Sequence, residues 1–97
     1  MKLVAVTACP TGVAHTYMAA EQLEKTAKKL GHTIKVETQG AMGLENELSQ
    51  ADVDAADAAI IAADIALERP ERFDRIRRVD VPVQLAIRDP EGVFARL

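Results

Sequence analysis

The chain has 97 residues, 48% hydrophobic and 28% charged, which is the size and composition of one globular domain with its own core. Its net charge of −3 and its 3% aromatic content argue against nucleic-acid binding, which uses a basic face or aromatic stacking platforms. The single cysteine forms no internal disulfide, and no apolar run approaches the roughly 20 residues that span a bilayer. We therefore expect a cytoplasmic domain without direct membrane insertion.

The first third of the chain predicts a strand followed by a helix. Residues 2–8 (KLVAVTA) are apolar almost throughout, as in a strand that is buried on both faces. From Val13 to Leu30 apolar residues recur every three or four positions, which predicts an amphipathic helix, and Gly31 is placed to end it. The predicted apolar stripe comprises Val13, Tyr17, Ala20, Leu23, Ala27 and Leu30.

The second predicted strand, HTIKVET, alternates in polarity. Ile34 and Val36 would face one side and Lys35 and Glu37 the other, which is typical of a half-exposed strand at a sheet edge. The next segment, QGAMGLENELS, contains two glycines and predicts a loop.

The second half of the chain predicts two further strands among short helices. Ser49 and Asp52 have the spacing of a helix start, and residues 58–64 (AAIIAAD) read as a fully apolar, central strand. The charged stretch LERPERFDRIRR, broken by Pro70, predicts a solvated face with a short helix. In VDVPV, Pro82 favours a short edge strand, and helical turns complete the chain.

This alternation of strands and helices predicts an α/β fold: a single three-layer domain over residues 1–97 with a four-stranded parallel sheet, order 2-1-3-4, and helices on both faces. Ligands of such sheets bind beyond the carboxyl ends of the strands where the order reverses, here between the first and third strands. Cys9 follows the first of these strands, and Asp64 ends the third.

The only cysteine therefore lies at the predicted site. A turn from a strand into a helix exposes unpaired backbone N–H groups at the positive end of the helix dipole, which binds anions. A thiol there is favoured as the nucleophilic thiolate, which predicts a phosphocysteine in a phosphate-binding loop. The alternative is a small buried cysteine without chemistry. The loop would comprise Pro10, Thr11, Gly12, Val13, Ala14, His15 and Thr16.

The segments ACPTGVAHTYMAAEQLEKTAKKLG and VETQGAMGLENELS closely resemble a known family. It is the fructose-family IIB component of the bacterial phosphoenolpyruvate-dependent sugar phosphotransferase system (PTS), and the resemblance covers almost the whole chain. It implies that Cys9 takes a phosphoryl group from a phosphohistidine on a IIA partner. It also implies that Cys9 passes the group to fructose or a related sugar held by a membrane-embedded IIC partner, at the cytoplasmic face of the membrane.

A second interpretation is a cysteine phosphatase or an arsenate-reductase-like enzyme. Cys9 to Thr16 reads C-x5-H-T, where those enzymes use C-x5-R followed by serine or threonine. The sequence RDP at 88–90 resembles the Asp-Pro acid loop of low-molecular-weight phosphatases. The histidine favours the carrier, because a phosphatase needs a guanidinium fork on the phosphoryl oxygens, whereas the thiophosphate of a carrier must survive until the sugar arrives.

Four further residues have open roles. His15 is expected to donate a ring N–H toward the phosphate, or to be a plain surface residue. Gln39 and Gly40 follow the second strand at the same sheet edge as Cys9, as the rim of the site, a partner-docking surface or a simple turn. Asp64 positions a loop, orients His15 or only caps the next turn. No dinucleotide fingerprint or metal-ligand spacing is present, so no cofactor and no metal are expected.

Overall fold

The structure is a computed structural model that describes residues 1–9, 13–40 and 43–97. Its strands are β1 (Lys2–Ala8), β2 (Thr33–Gly40), β3 (Gly43–Glu45), β4 (Ala58–Ala63) and β5 (Arg78–Val81). Its helices are α1 (Val13–Lys29), α2 (Gln50–Asp54), α3 (Val83–Arg88) and α4 (Pro90–Phe94), with a 3-10 helix at Pro70–Phe73.

The strands form one five-stranded sheet in the order β3-β2-β1-β4-β5. β2, β1, β4 and β5 are parallel neighbours, which matches the predicted relative order of the four parallel strands. The predicted total of four strands is wrong, because β3 pairs antiparallel with β2 and places Leu44 opposite Gln39. β2 is therefore an inner strand, and β3, with only three residues, is too short to show a period in the sequence.

Both faces of the sheet carry a core, as the three-layer prediction requires. Successive side chains of a strand point to opposite faces, so the apolar strand β1 contributes to two clusters. Leu3 and Ala5 pack in a cluster with residues of α1, α3 and α4. Val4 and Val6 pack on the other face with Phe73 of the 3-10 helix and a residue of α2.

Helix α1 has nearly the predicted bounds, but its buried face is rotated from the predicted stripe. Tyr17 and Leu30 were expected to be buried, yet they are 40% and 45% exposed. The Tyr17 hydroxyl instead donates to Glu45, which ties α1 to β3. Gly31 has the positive φ of 81° expected of a residue that ends a helix. Among residues 14–29 of α1, the buried ones are Thr16, Ala19, Ala20, Leu23, Thr26 and Ala27.

Helix α2 begins with the capping box that the sequence predicts. The Ser49 Oγ accepts from the Asp52 backbone N–H at 3.0 Å, and the Asp52 carboxylate accepts from the Ser49 N–H at 2.9 Å. Lys35 Nζ donates to the same carboxylate at 3.0 Å. These hydrogen bonds, the Ser49 backbone bond first, lower the pKa of Asp52 to about 2.

We expect the capping box to weaken in acid. The pKa of Asp52 is lower in the folded chain than in the unfolded one, so the carboxylate stabilises the fold above about pH 4, and this contribution is lost as the pH falls toward 2. Asp52→Asn should flatten the pH dependence of the denaturation midpoint across this range. Lys35→Met keeps the Ser49 bond and should flatten it less. An unchanged acid dependence in Asp52→Asn would contradict this expectation.

Candidate functional site

The carboxyl ends of β1, β2 and β4 meet at the edge where the strand order reverses. Ala8 of β1 pairs with Gln39 of β2 on one side and with Ala63 of β4 on the other. The Asp64 backbone N–H also donates to the Ala8 carbonyl at 3.0 Å. Cys9, which follows Ala8, therefore lies at the same edge as Gln39 and Asp64, at the position where parallel sheets bind ligands.

A cavity of about 320 Å³ opens at this edge, and Cys9, which is 4% exposed, lines it. The other lining residues come from the end of β2, from β3 and from the segment after β4; they are Gln39, Gly40, Gly43, Leu44, Ile65, Ala66 and Glu68. A cavity of about 470 Å³ adjoins it and shares two of these residues. We place the site in the smaller cavity because it holds the thiol.

A buried hydroxyl lies beside this edge. Thr7 Oγ1 donates to the Thr16 carbonyl at 3.1 Å, which holds the first turn of α1 against β1. The Thr16 side chain is buried, and within the described residues its Oγ1 has no hydrogen-bond partner. A Cβ built on Gly40 would lie 3.8 Å from that oxygen, so the hydroxyl is next to the end of β2. Because a buried unpaired hydroxyl costs about 1–3 kcal/mol, an oxygen-bearing ligand would relieve this cost.

The structure places the other residues of the predicted phosphate loop as follows. Ala14 and His15 are exposed on the first turn of α1, which begins at Val13. The phosphate-binding roles of these residues and of Thr16 stay predictions. The remaining predictions lie outside the described residues; they concern Pro10, Thr11 and Gly12.

Gln39 lines the cavity, but its polar atoms form hydrogen bonds to other groups of the protein. Its side chain is nearly fully buried. Its Nε2 donates to the Glu37 carboxylate at 2.6 Å and to the Glu68 carbonyl at 3.2 Å. Its Oε1 accepts from the Glu68 N–H at 2.9 Å. Its amide therefore joins the end of β2 to the segment after β4.

Glu37 and Arg72 form a buried ion pair next to the Gln39 amide. Their side chains are 0% and 1% exposed, and two N–O contacts of 2.7 and 3.0 Å join them. Burial raises the pKa of Glu37, but hydrogen bonds from Arg72, Gln39 and the Leu48 N–H together lower it further than burial raises it. The predictions of an exposed Glu37 and a wholly solvated segment around Arg72 are therefore wrong. The partners are 35 residues apart, so no local pattern reveals the pair.

Two acidic residues singled out in the sequence cap helices. The Asp64 Oδ1 accepts from the Val83 N–H at 3.1 Å, which fastens the end of β4 to the start of α3. The Asp89 carboxylate accepts from the Gly92 N–H at 3.1 Å at the start of α4. The cap of the next turn was one role left open for Asp64, but the observed bond instead reaches α3, 19 residues further along the chain. A role of Asp64 in docking a partner stays a prediction. Asp89 is the acid of the RDP sequence.

The segment 65–68 forms the wall of the cavity that faces β2, and the sequence interpretation missed it. Three of its residues, Ile65, Ala66 and Glu68, line the cavity, and Ile65 is an exposed large apolar residue. One signal was available, because these residues directly follow Asp64 and so leave the third parallel strand at the same edge as Cys9. Leu44 was missed because β3 was missed.

The described part of the chain offers neither a membrane-spanning helix nor a cluster of metal ligands. None of its helices is long and apolar enough to cross a membrane. Within residues 1–9, 13–40 and 43–97, no cluster of three or more His, Cys, Asp or Glu side chains is arranged to hold a metal ion.

Known proteins are similar to this chain in both fold and sequence. Residues 4–96 match the family model described as PTS system, Lactose/Cellobiose specific IIB subunit. The PTS system fructose-like EIIB component 2 of Escherichia coli (strain K12) is 49% identical over 96 residues, which cover 99% of this chain and 91% of that protein. A crystal structure described as a predicted fructose-specific IIB from Escherichia coli superposes with a TM-score of 0.94 at 46% identity, covering 98% of this chain and 84% of the other.

A larger relative contains the same region. The PTS system fructose-specific EIIABC component of Bacillus subtilis (strain 168) is 50% identical over 95 residues, which cover 98% of this chain and 15% of that protein. The chain therefore belongs to the IIB family of the sugar phosphotransferase system. Its similarity to the fructose-like components places it in the fructose-type branch of that family.

Proposed function

We propose that this chain is a phosphoryl carrier in which Cys9 becomes a phosphocysteine. The N–P bond of a phosphohistidine on a IIA partner breaks as an S–P bond forms on the Cys9 sulfur. The S–P bond then breaks as an O–P bond forms with a sugar hydroxyl, which loses its proton. The chain is thus a protein-phosphocysteine–sugar phosphotransferase, and fructose or a related sugar is its final acceptor.

The observation that carries this proposal is the place of Cys9. It lines a cavity at the switch point of the sheet and precedes α1, a helix of 17 residues. Phosphoryl transfer needs positioning and stabilisation of charge on the phosphoryl oxygens more than it needs acid or base chemistry. The start of α1 supplies backbone N–H groups, and the buried Thr16 hydroxyl supplies a further donor beside them.

The partners follow from the two transfers. A IIA protein or domain must supply the phosphoryl group, and a membrane-embedded IIC protein must present the sugar. Because both must reach one sulfur, we expect them to bind in turn to overlapping surfaces around Cys9, Gln39 and Asp64. Interfaces of this transient kind are small. The chain then works in the cytoplasm, at the inner face of the membrane when docked on IIC.

Two features of the chain favour a carrier over a phosphatase. His15 occupies the position at which a cysteine phosphatase has the arginine that grips the phosphoryl oxygens. The Asp89 carboxylate accepts a hydrogen bond from the Gly92 N–H at the start of α4. It therefore caps a helix, whereas the general acid of a phosphatase must be placed to protonate the leaving group.

Incubation with a phosphohistidine donor tests the proposal. Mass spectrometry of the chain after treatment with a phosphorylated IIA protein should show one added phosphoryl group, located on the peptide that contains Cys9. The adduct should persist without a sugar acceptor. Fast release of phosphate from aryl phosphates, with no adduct from the IIA donor, would support the phosphatase and contradict the carrier.

His15 should accelerate formation of the phosphocysteine without being essential to it. Loss of one donor to a charged phosphoryl oxygen, worth about 1.5–3 kcal/mol, should slow formation in His15→Ala by roughly tenfold to a hundredfold. His15→Arg restores the C-x5-R spacing and should bind inorganic phosphate more tightly than the parent, with a modestly shorter phosphocysteine lifetime. Formation and decay rates of the isolated phosphoprotein at one pH measure both effects.

His32→Ala is the matched control. His32 is the only other histidine, and it lies before β2, where its ring stacks on Phe94 away from the carboxyl edge of the sheet. The His32→Ala substitution should leave the formation and decay rates of the phosphocysteine unchanged. If His15→Ala also matches the parent in formation and decay, His15 is a surface residue without a role in transfer.

A further inference from the structure

The cavity wall that faces β2 is held by a side chain. Through its Oε1 and Nε2, the Gln39 amide accepts from the Glu68 N–H and donates to the Glu68 carbonyl, at 2.9 and 3.2 Å. This is the pairing that a neighbouring strand would make with the Glu68 backbone, supplied here by one side chain. We infer that Gln39 is a positioning residue whose amide fixes the segment 65–68 and so sets access to the Cys9 sulfur.

The orientation of the Gln39 amide is itself fixed by the buried ion pair. A carboxylate only accepts hydrogen bonds, so the Glu37 oxygen at 2.6 Å selects the Nε2 side of the amide and turns Oε1 toward the Glu68 N–H. Arg72 acts on the same segment, because its Nη2 donates to the Glu68 carbonyl at 3.2 Å and its Nε to the Arg69 carbonyl at 2.9 Å. The ion pair thus orients the amide and tethers the end of the wall.

The backbone conformation after the wall needs such tethers. Arg69 has φ 54°, in the left-handed region that residues other than glycine rarely adopt. Conformations of this kind persist where the surrounding structure fixes them. Gln39 donates to the Glu68 carbonyl, in the peptide unit before Arg69. Arg72 donates to the Arg69 carbonyl, in the peptide unit after it. An ion pair with Glu47 holds the Arg69 side chain.

The wall is therefore anchored at both ends, and it lines the same cavity as the thiol. At its start, Asp64 is fastened to Val83 of α3; at its end, Glu68 is fastened to Gln39 of β2. Ile65 lies between the anchors, and both this residue and Cys9 line the cavity. Displacements of about 1 Å change the rates of reactions between held groups by large factors, so loss of one anchor should alter reactions at Cys9.

Gln39→Met tests the inference, because methionine matches the length of glutamine but lacks its polar atoms. Hydrogen exchange of the Glu68 amide should become roughly five- to tenfold faster, since one hydrogen bond is lost. The Leu48 amide, which donates to Glu37, should change by less than about twofold. Alkylation of Cys9 by iodoacetamide should become at least about threefold faster as the wall loosens.

Gln50→Met is the matched control. Gln50 Nε2 donates to the Arg72 carbonyl at 3.2 Å and to Asp54 at 2.9 Å, so the change is chemically the same but lies outside the cavity. Both rates should stay at the parent value. If Gln39→Met leaves either the Glu68 exchange or the Cys9 alkylation at the parent value, the inference is overturned. If that variant fails to fold, the same two rates in Gln39→Asn, whose amide is one methylene short, decide the question.

Only one consequence rests on the proposed function. With a phosphorylated IIA donor, Gln39→Met should take up the phosphoryl group more slowly than the parent although its thiol is alkylated faster. General destabilisation would also accelerate hydrogen exchange of the Leu48 amide, which should stay within about twofold of the parent if only the segment 65–68 loosens. If the parent itself takes up no phosphoryl group, the proposed function fails, while exchange and alkylation still decide whether Gln39 positions the wall.

Discussion

Replacing Cys9 with serine should abolish phosphoryl uptake from a IIA donor, with a loss of at least roughly a thousandfold, as removal of a catalytic nucleophile produces in other enzymes. The physical reason is that a serine hydroxyl is not ionised near neutral pH and is activated only by an adjacent base, whereas a thiol readily reacts as the thiolate. The fold should survive. Cys9 is 4% exposed within the cluster packed under α1, and serine fits the same space. The unfolding free energy should fall by only about 1 kcal/mol.

Cys9→Ala separates the nucleophile from the packing. Alanine keeps the apolar character of the cluster but has neither sulfur nor hydroxyl, so uptake should be lost to the same extent as in the serine variant. Mass spectrometry of intact protein after incubation with the donor measures uptake, and urea denaturation measures stability. Sustained uptake by Cys9→Ser, or an adduct located on His15 in the parent, would show that the acceptor has been assigned wrongly.

The sequence predicts the parallel part of the fold because periodicity is a local property. The segments 2–8 and 58–64 are apolar almost throughout, which predicts strands buried on both faces and helices that cover both sides of the sheet. These two apolar segments predict that β1 and β4 lie side by side, as the structure confirms. β3 is not predictable in this way, since three residues show no period and their pairing depends on β2.

The candidate site divides in the same way. The position of Cys9 follows from topology alone, because it immediately follows a central strand at the switch point. The buried ion pair of Glu37 and Arg72 does not follow from topology. Glu37 occupies a position that alternates with apolar residues, and Arg72 lies in a charged stretch, so each one taken alone predicts exposure. Only the tertiary structure, which brings the two together across 35 residues, reverses both predictions.

Arg72→Met should destabilise the protein by about 3–5 kcal/mol, because it leaves the fully buried Glu37 carboxylate without its cation. Methionine occupies a similar volume, so the loss is mainly electrostatic. Three carbonyls, of Leu48, Glu68 and Arg69, also lose a donor. Arg75→Met is the control. Arg75 is an exposed arginine of the same segment, and its replacement should change the unfolding free energy by less than about 0.5 kcal/mol.

The pH dependence of this loss identifies its cause. In the parent the pKa of Glu37 lies below its ordinary value, so the group stabilises the fold above that value and less as the pH falls through it. In Arg72→Met the largest influence left on Glu37 is burial, which raises its pKa. Protonation of Glu37 therefore removes the unpaired buried charge and reduces the loss of stability in the variant. The stability difference between parent and variant should therefore shrink from pH 7 to pH 5 in urea denaturation. Adding Glu37→Leu to the variant should recover part of the loss at pH 7, because it removes the unpaired charge. A deficit that is equal at both pH values and unaffected by Glu37→Leu would mean that Arg72 acts through packing alone.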